Sequence, residues 1–285
     1  MERGCKTRRA LTEEDLDSRP QRNHPAVRFS HVGLRIADKQ ILSDLSFEIK
    51  AGEKWAIVGP NGSGKTTLLR IINGYLRPST GEVTLSLDES NLEDLSELRK
   101  KSGFVSSYLD NLIESEDNVL DIVVSGKYGA TRLWEVPPIE DIHKARQLLR
   151  RLGCDKFEER RIRDLSQGER QKILIARALM PEPSLLTFDE PCASLDIGAR
   201  ELFLKGIESV ARDKRRLQLA MIYVTHRIDE IPSCFTHALL LKDGKLLAKG
   251  KIREVITSKN FSSCFGTKVE IRRWRNRLYP IVSDS

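Results

Sequence analysis

The 285-residue chain has no run of about 18 uncharged apolar residues, the length a membrane-spanning helix requires. Its longest uncharged stretches, residues 217–226 and 232–241, reach roughly half of that. Cysteine is sparse. Cys5, Cys154, Cys192, Cys234 and Cys264 are odd in number, far apart and form no C-x-x-C pair, which excludes a disulfide framework or zinc site and points to a reducing compartment. The N-terminus has no apolar segment of the signal-peptide kind, and Glu13-Glu14-Asp15 is unlike an acid-poor transit peptide, so the expected location is the cytoplasm. Neither internal repeats nor low-complexity tracts occur, which argues against solenoids and propellers. What is present is the composition of a globular protein, 39% hydrophobic and 31% charged, with a formal charge of +7.

The length lies between one domain and two. Residues 1–25 carry mixed charge, few apolar side chains and two prolines, and are expected to form a flexible tail. From Val27 onward, short apolar strands alternate with helical patterns. The continuous apolar run Trp55-Ala56-Ile57-Val58 reads as a strand buried on both faces of a parallel sheet, and residues 185–188 and 221–225 read likewise. This alternation predicts an α/β fold. Between about residues 106 and 164 the spacing of Val119, Leu120, Ile122, Val123, Val124, Ala145, Leu148, Leu149 and Leu152 becomes helical, with Gly153 as a stop, as in a helical insertion. Asp243-Gly244 between two apolar runs signals a type I′ hairpin, and a second hairpin is expected around Arg275-Asn276. Residues 26–260 are thus read as one domain, followed by a C-terminal extension, 261–285, with hairpin character.

Gly59-Pro60-Asn61-Gly62-Ser63-Gly64-Lys65-Thr66 fits G-x-x-x-x-G-K-[ST], lying between the strand at 55–58 and a helical run that includes Thr67 and ends before Gly74. Glycines let backbone N–H groups turn toward phosphate oxygens, and a helix N-terminus adds positive potential. Lys65 would reach the β- and γ-phosphates and Thr66 would ligate Mg²⁺, so the expected ligand is a nucleoside triphosphate. A second strand ends in Asp189-Glu190-Pro191, at the sheet edge where open α/β folds bind ligands. Asp189 would hold the metal and Glu190 would take a proton from the attacking water. Ser166 and Glu169 form S-x-x-E, a capping box. The Ser166 hydroxyl, Gly168 and the helix N-terminus also make an anion site. Asp196 reads as an N-cap for the next helix.

These segments, with Ala193-Ser194-Leu195-Asp196 and Thr225-His226, resemble in order and spacing the five motifs of ATP-binding-cassette (ABC) ATPases. The similarity runs from about Val27 to Lys259. It implies a P-loop NTPase cassette with a mostly parallel core sheet, an antiparallel β subdomain and the helical insertion. It further implies that two cassettes, as a homodimer or paired with another ABC subunit, sandwich two ATP molecules head to tail. The signature residues Ser166 and Gly168 would serve ATP on the partner, His226 would contact the γ-phosphate, and Asp196 would link the two sites. Two positions depart from the family pattern. Ile36 stands where an aromatic ring stacks on adenine, and Ser107 stands where a glutamine senses Mg²⁺. Residues 104–107, 165–172, 189–192 and 225–232 look like a stand-alone, single-cassette subgroup related to molybdate-transport ATPases, and Val124-Ser125-Gly126-Lys127-Tyr128 is similar to metal-chelate importers.

The expected activity is therefore Mg²⁺-dependent ATP hydrolysis, as the ATP-binding subunit of a transporter that docks on a membrane permease through residues 106–140. The alternative is a soluble ABC ATPase acting on RNA, the ribosome or another macromolecule. Lys268, Arg272, Arg273, Arg275 and Arg277, with Trp274 and Tyr279 interleaved, suit either nucleic acid or a solvated hairpin face.

Overall fold

The computed structural model describes residues 25–85 and 101–282. The expected N-terminal tail lies outside them except for Pro25, which opens the first strand rather than closing the tail. In chain order the elements begin with β1 (Pro25–Ile36), β2 (Lys39–Lys50), β3 (Lys54–Val58), α1 (Lys65–Ile72), β4 (Thr80–Leu85) and β5 (Ser102–Ser106). The helices α2 (Ser107–Asp110), α3 (Val119–Ser125), α4 (Ile139–Arg151) and α5 (Gln167–Leu179) follow. Then come β6 (Leu185–Asp189), α6 (Ile197–Arg212), β7 (Ala220–Thr225), β8 (His237–Lys242) and β9 (Lys245–Lys251). The chain closes with α7 (Ile252–Val255), α8 (Ser258–Phe265), β10 (Val269–Trp274) and β11 (Arg277–Val282). The C-terminal extension is thus a helix as well as a hairpin, and α8 already starts at Ser258, ahead of the expected boundary at 261.

A six-stranded sheet of order β5-β6-β7-β3-β8-β9 divides the interior. Its first five strands run parallel, and β9 returns antiparallel through the Asp243-Gly244 turn. Asp243 (φ 48°) and Gly244 (φ 72°) adopt the positive angles a type I′ turn requires. The central strands are apolar at consecutive positions because each face has its own cover. Ala56 and Val58 join one cluster, with α3 to α6 packed over it. Trp55 and Ile57 join the other, beneath α1 and an antiparallel sheet of order β2-β1-β4. Leu68, Leu69 and Ile72 of α1 are fully buried there, each stabilising the fold by about 1.5–3 kcal/mol.

In the helical insertion, Val119, Ile122, Val123, Val124, Ala145, Leu148 and Leu149 all face the core, as their spacing predicts. Asn118 caps α3, accepting from Asp121 N at 2.9 Å. Gly153 (φ 66°) lies two residues beyond α4. Asp141, buried on α4, accepts from Lys127 Nζ (2.5 Å) and Tyr128 Oη (2.7 Å), fastening the turn after α3 to α4. The bond to Asp141 pushes the Tyr128 phenol up to about 12.

One buried polar contact joins the end of α1 to the sheet. Asn73 Nδ2 donates to Leu69 O (2.8 Å) and Thr187 Oγ1 (2.9 Å), and the Thr187 hydroxyl donates to Gly103 O (3.2 Å). Both side chains are fully buried, so their polar atoms have no solvent to fall back on. Thr187→Val, isosteric but without the hydroxyl, is expected to lower the unfolding free energy by about 1–3 kcal/mol, read from the urea midpoint. Adding Asn73→Leu is expected to recover part of that loss.

Candidate active site

Parallel pairing places the strand ends level. Ser106 pairs with Asp189, Asp189 with Val224, and Thr225 with Val58. The residues that follow, Ser107, Glu190, His226 and Gly59, therefore leave the sheet at one edge. Ser107 heads α2 and its side chain lies outside the described residues.

The loop from Gly59 to Gly64 curls back on itself and feeds α1. A Cβ on Gly59 would lie 2.1 Å from Leu241 O and 2.7 Å from Ser63 Oγ, so only glycine fits. Gly64, at φ 99°, is the N-cap of α1. The turn of the β8–β9 hairpin braces this loop, since Gly244 N donates to Ser63 O (3.1 Å) while Ser43 N donates to Gly244 O (2.9 Å). In sequence, Gly244 is explained by its hairpin alone.

Lys65 is only 4% exposed, and its ammonium donates to Gly59 O and Pro60 O, each at 3.0 Å. It also lies 3.5 Å from Glu190 Oε1. Glu190 Oε2 stands 3.2 Å from His226 Nδ1, off the line of a hydrogen bond, so that nitrogen is buried without a bonded partner among the described residues. Glu190 has φ 45°, an unfavourable backbone for a side chain with a Cβ. Its amide donates to Val224 O (3.0 Å), which holds it beside β7.

Thr66 Oγ1 donates to Asp189 Oδ1 at 3.1 Å. Burial pushes the Asp189 carboxyl above the usual range, partly offset by the Thr66 bond, with Glu190 adding repulsion. A hydroxyl and a desolvated carboxylate are hard oxygen donors, and a divalent cation would relieve the repulsion between the paired acids. The pair fits Mg²⁺, which takes one or two carboxylates and completes its shell with water and phosphate oxygens. Ser63 Oγ, buried and without a hydrogen-bond partner among the described residues, is a further donor available in the loop. Asn61, Gly62 and Thr66 are exposed and Thr67 is half-buried.

The signature residues lie elsewhere. Ser166 caps α5 as expected. Its amide and hydroxyl donate to Glu169 Oε2 (2.9 and 2.8 Å), and Glu169 N donates to Ser166 Oγ (3.4 Å). The bonds from the Ser166 amide and hydroxyl hold the Glu169 carboxyl below its usual range. A Cβ on Gly168 would lie 2.9 Å from Ala199 Cβ, so this glycine also admits α6. Asp196 caps α6, its Oδ1 accepting from Ala199 N at 2.7 Å. Among the described residues no hydrogen bond or ion pair connects Ser166, Gly168 or Asp196 with Lys65, Asp189, Glu190 or His226. Ile36, half exposed, ends β1 opposite Lys39. Sequence reasoning misses Arg200 and Glu230, which ion-pair behind His226. Their charges carry no motif of their own.

Two loop glycines separate steric from conformational demand. Gly59→Ala is expected to deform the loop and lose nucleotide binding, measured with a fluorescent ATP analogue. Gly62, at φ 78°, has open space where a Cβ would stand, with nothing within 4 Å. Gly62→Ala is therefore expected to cost about 1–2 kcal/mol in unfolding, with binding retained.

Comparison with known proteins identifies the family. Residues 42–193 match the ABC transporter family. An uncharacterized ABC transporter ATP-binding protein of Bacillus subtilis (strain 168) is 38% identical over 263 residues, 90% of this chain and 99% of that protein. A molybdate/tungstate import ATP-binding protein of Thermococcus kodakarensis is 33% identical over 76% of this chain and 62% of its own length. Among solved structures, an inward-facing putative metal-chelate type ABC transporter superposes with a TM-score of 0.74 at 25% identity, covering 91% of this chain and 99% of that one. A bacterial ABC transporter cassette solved as a dimer gives 0.66 at 26% identity, over 80% of this chain and 99% of its own. The chain belongs to the ABC transporter family, as a single-cassette ATPase with the P-loop NTPase fold.

Proposed function

We propose that this cassette powers a transporter by Mg²⁺-dependent ATP hydrolysis in a head-to-tail dimer. The observation that carries the reading is the convergence of Lys65, Asp189, Glu190 and His226 at the level ends of β3, β6 and β7. In this reading, backbone N–H groups of residues 61–67 hold the phosphates, and Lys65 exchanges its bonds to Gly59 O and Pro60 O for phosphate oxygens. Thr66 and Asp189 hold Mg²⁺, which would neutralise charge on the β- and γ-phosphates. Glu190, between the Lys65 ammonium and the His226 ring, accepts the proton of the attacking water. His226 orients the γ-phosphate. Ile36 gives the adenine an apolar face in place of a stacked ring.

Among the described residues the signature end, Ser166 to Gly168, makes no hydrogen bond or ion pair with these groups, which supports its use by a partner's ATP. In the helical insertion Trp134 and Val136 are 85% and 93% exposed, and their neighbour Ile139 is 56% exposed. This apolar ridge supports docking on a permease through residues 106–140. Likeness to molybdate and metal-chelate systems favours import of an oxyanion or metal complex as the task. No helix among the described residues is long and apolar enough to cross a membrane, and the reading places the cassette peripherally at the cytoplasmic face.

The test is steady-state phosphate release by the purified chain. Glu190→Gln is expected to slow turnover about 10²–10⁴-fold while ATP binding persists. EDTA is expected to abolish release and excess Mg²⁺ to restore it. Wild-type turnover in Glu190→Gln would remove that residue from the mechanism.

A further inference from the structure

The C-terminal hairpin contributes no residue to the nucleotide site, yet a chain of charges runs from it to the turn that carries His226. Arg277, at the start of β11, grips Glu201 on α6 with both forks, Nη1–Oε1 and Nη2–Oε2 each at 2.6 Å. Glu201 Oε1 lies 3.7 Å from Arg200 Nε. Arg200 Nη1 reaches Asp229 Oδ2 (3.2 Å) and stands 3.8 Å from Glu230 Oε1. Glu230 is 4% exposed and accepts from Thr225 Oγ1 (3.4 Å), the residue before His226. Thr225 Oγ1 in turn accepts from Arg227 N (2.9 Å), the residue after it. Arg227 closes the ring through Asp229 (3.1 Å) and Glu230 (3.2 Å).

Burial gives these contacts weight. A carboxylate nearly out of water is costly unless paired, so Glu230 depends on Arg227 and Arg200 to keep its charge. Burial pushes its carboxyl upward and the two arginines oppose that. Arg200 turns Nη1 toward Asp229 and Glu230 while its Nε faces the Glu201 carboxylate, itself held by Arg277. Packing follows the same route, because β11 lies against the 3₁₀ turn Ile228–Glu230. Leu278 and Asn276 line one groove with Ile228 and Ile231. The helix in the middle, α6, is capped by Asp196.

We propose that Arg277 is a positioning residue for His226, acting through Glu201, Arg200 and Glu230 to hold the turn from Thr225 to Glu230 against α6. The proposal rests on the reading of His226 as the γ-phosphate contact. A positioning role alters the chemical step more than ATP capture, since Lys65 and the phosphate loop are untouched.

The test is ATPase kinetics on the full chain, with thermal unfolding recorded for each variant. Arg277→Gln is expected to lower kcat about 3–30-fold, the span of coupling through such networks, with KM for ATP within about twofold. Arg277→Lys is expected to recover at least half of the lost rate, because a point cation still holds one oxygen of Glu201. Glu230→Gln should lose a similar factor, and the Arg277→Gln/Glu230→Gln double variant should be no slower than the slower single one, since both cut one chain. If Arg277→Gln fails to fold, Glu201→Gln breaks the same link from the other side. Wild-type kcat in the folded Arg277 or Glu201 variant, or multiplicative losses in the double, overturns the relay. His226→Ala separates the two ideas: full activity there sinks the switch-histidine reading itself, whereas a dead His226→Ala beside a normal Arg277→Gln sinks only the relay.

Discussion

The site is organised around one buried ammonium. Lys65 is almost wholly removed from water, and an unpaired cation there would be prohibitive, so the surrounding chain has to present acceptors. Two are backbone carbonyls, Gly59 and Pro60, which can face inward only because the loop curls tightly enough to exclude a Cβ at Gly59. The countercharge is Glu190, an ion-pair partner at 3.5 Å whose backbone at φ 45° carries a conformational cost of about 1–3 kcal/mol. The arrangement keeps a strong positive charge aimed where phosphate charge would collect, and it couples the loop after β3 to the loop after β6. The β8–β9 turn, by bonding Ser63 and Ser43, stops the loop from relaxing away from the lysine.

The sheet makes this possible by register. Every crossover among β3, β5, β6 and β7 brings the chain back parallel, so residues remote in sequence leave the sheet at the same height. A one-residue slip in β6 would turn Asp189 to the opposite face and remove it from Thr66. Burial on both faces resists that slip, because Leu186 and Phe188 fill one cluster while Leu185 fills the other. The same burial withholds solvent from Asp189, which raises its carboxyl and makes a cation the natural complement to the acid pair.

Much of this is legible from residues. Both hairpins, the strand at 55–58, the capping box at Ser166 and the Asp196 cap rest on local rules of period, turn chemistry and side-chain reach, and each is present in the fold. The order of the motifs on adjacent strands is legible by resemblance. What sequence cannot show is whatever depends on close approach between distant segments. Gly168 reads as a ligand-facing glycine, but its immediate neighbour is Ala199; Gly244 reads as a turn residue, but it also braces the phosphate loop. Arg200, Glu201 and Glu230 are ordinary charges in a chain that is 31% charged, and only three-dimensional placement distinguishes them.

Placement also changes the meaning of the basic C-terminus. Read as a string, its arginines form a cationic patch open to phosphates. In the fold, Arg277 is committed to Glu201 and Arg272 to Glu270, and Arg277, Leu278 and Tyr279 of β11 are half-buried while Pro280, Ile281 and Val282 are exposed. Lys268, Arg272, Arg273, Trp274 and Arg275 remain exposed, close to a single turn. The ordered charge of Arg277 sits against α6, the helix capped by Asp196 and tied through Arg200 to the His226 turn, so an element outside the shared motifs touches both that helix and that turn.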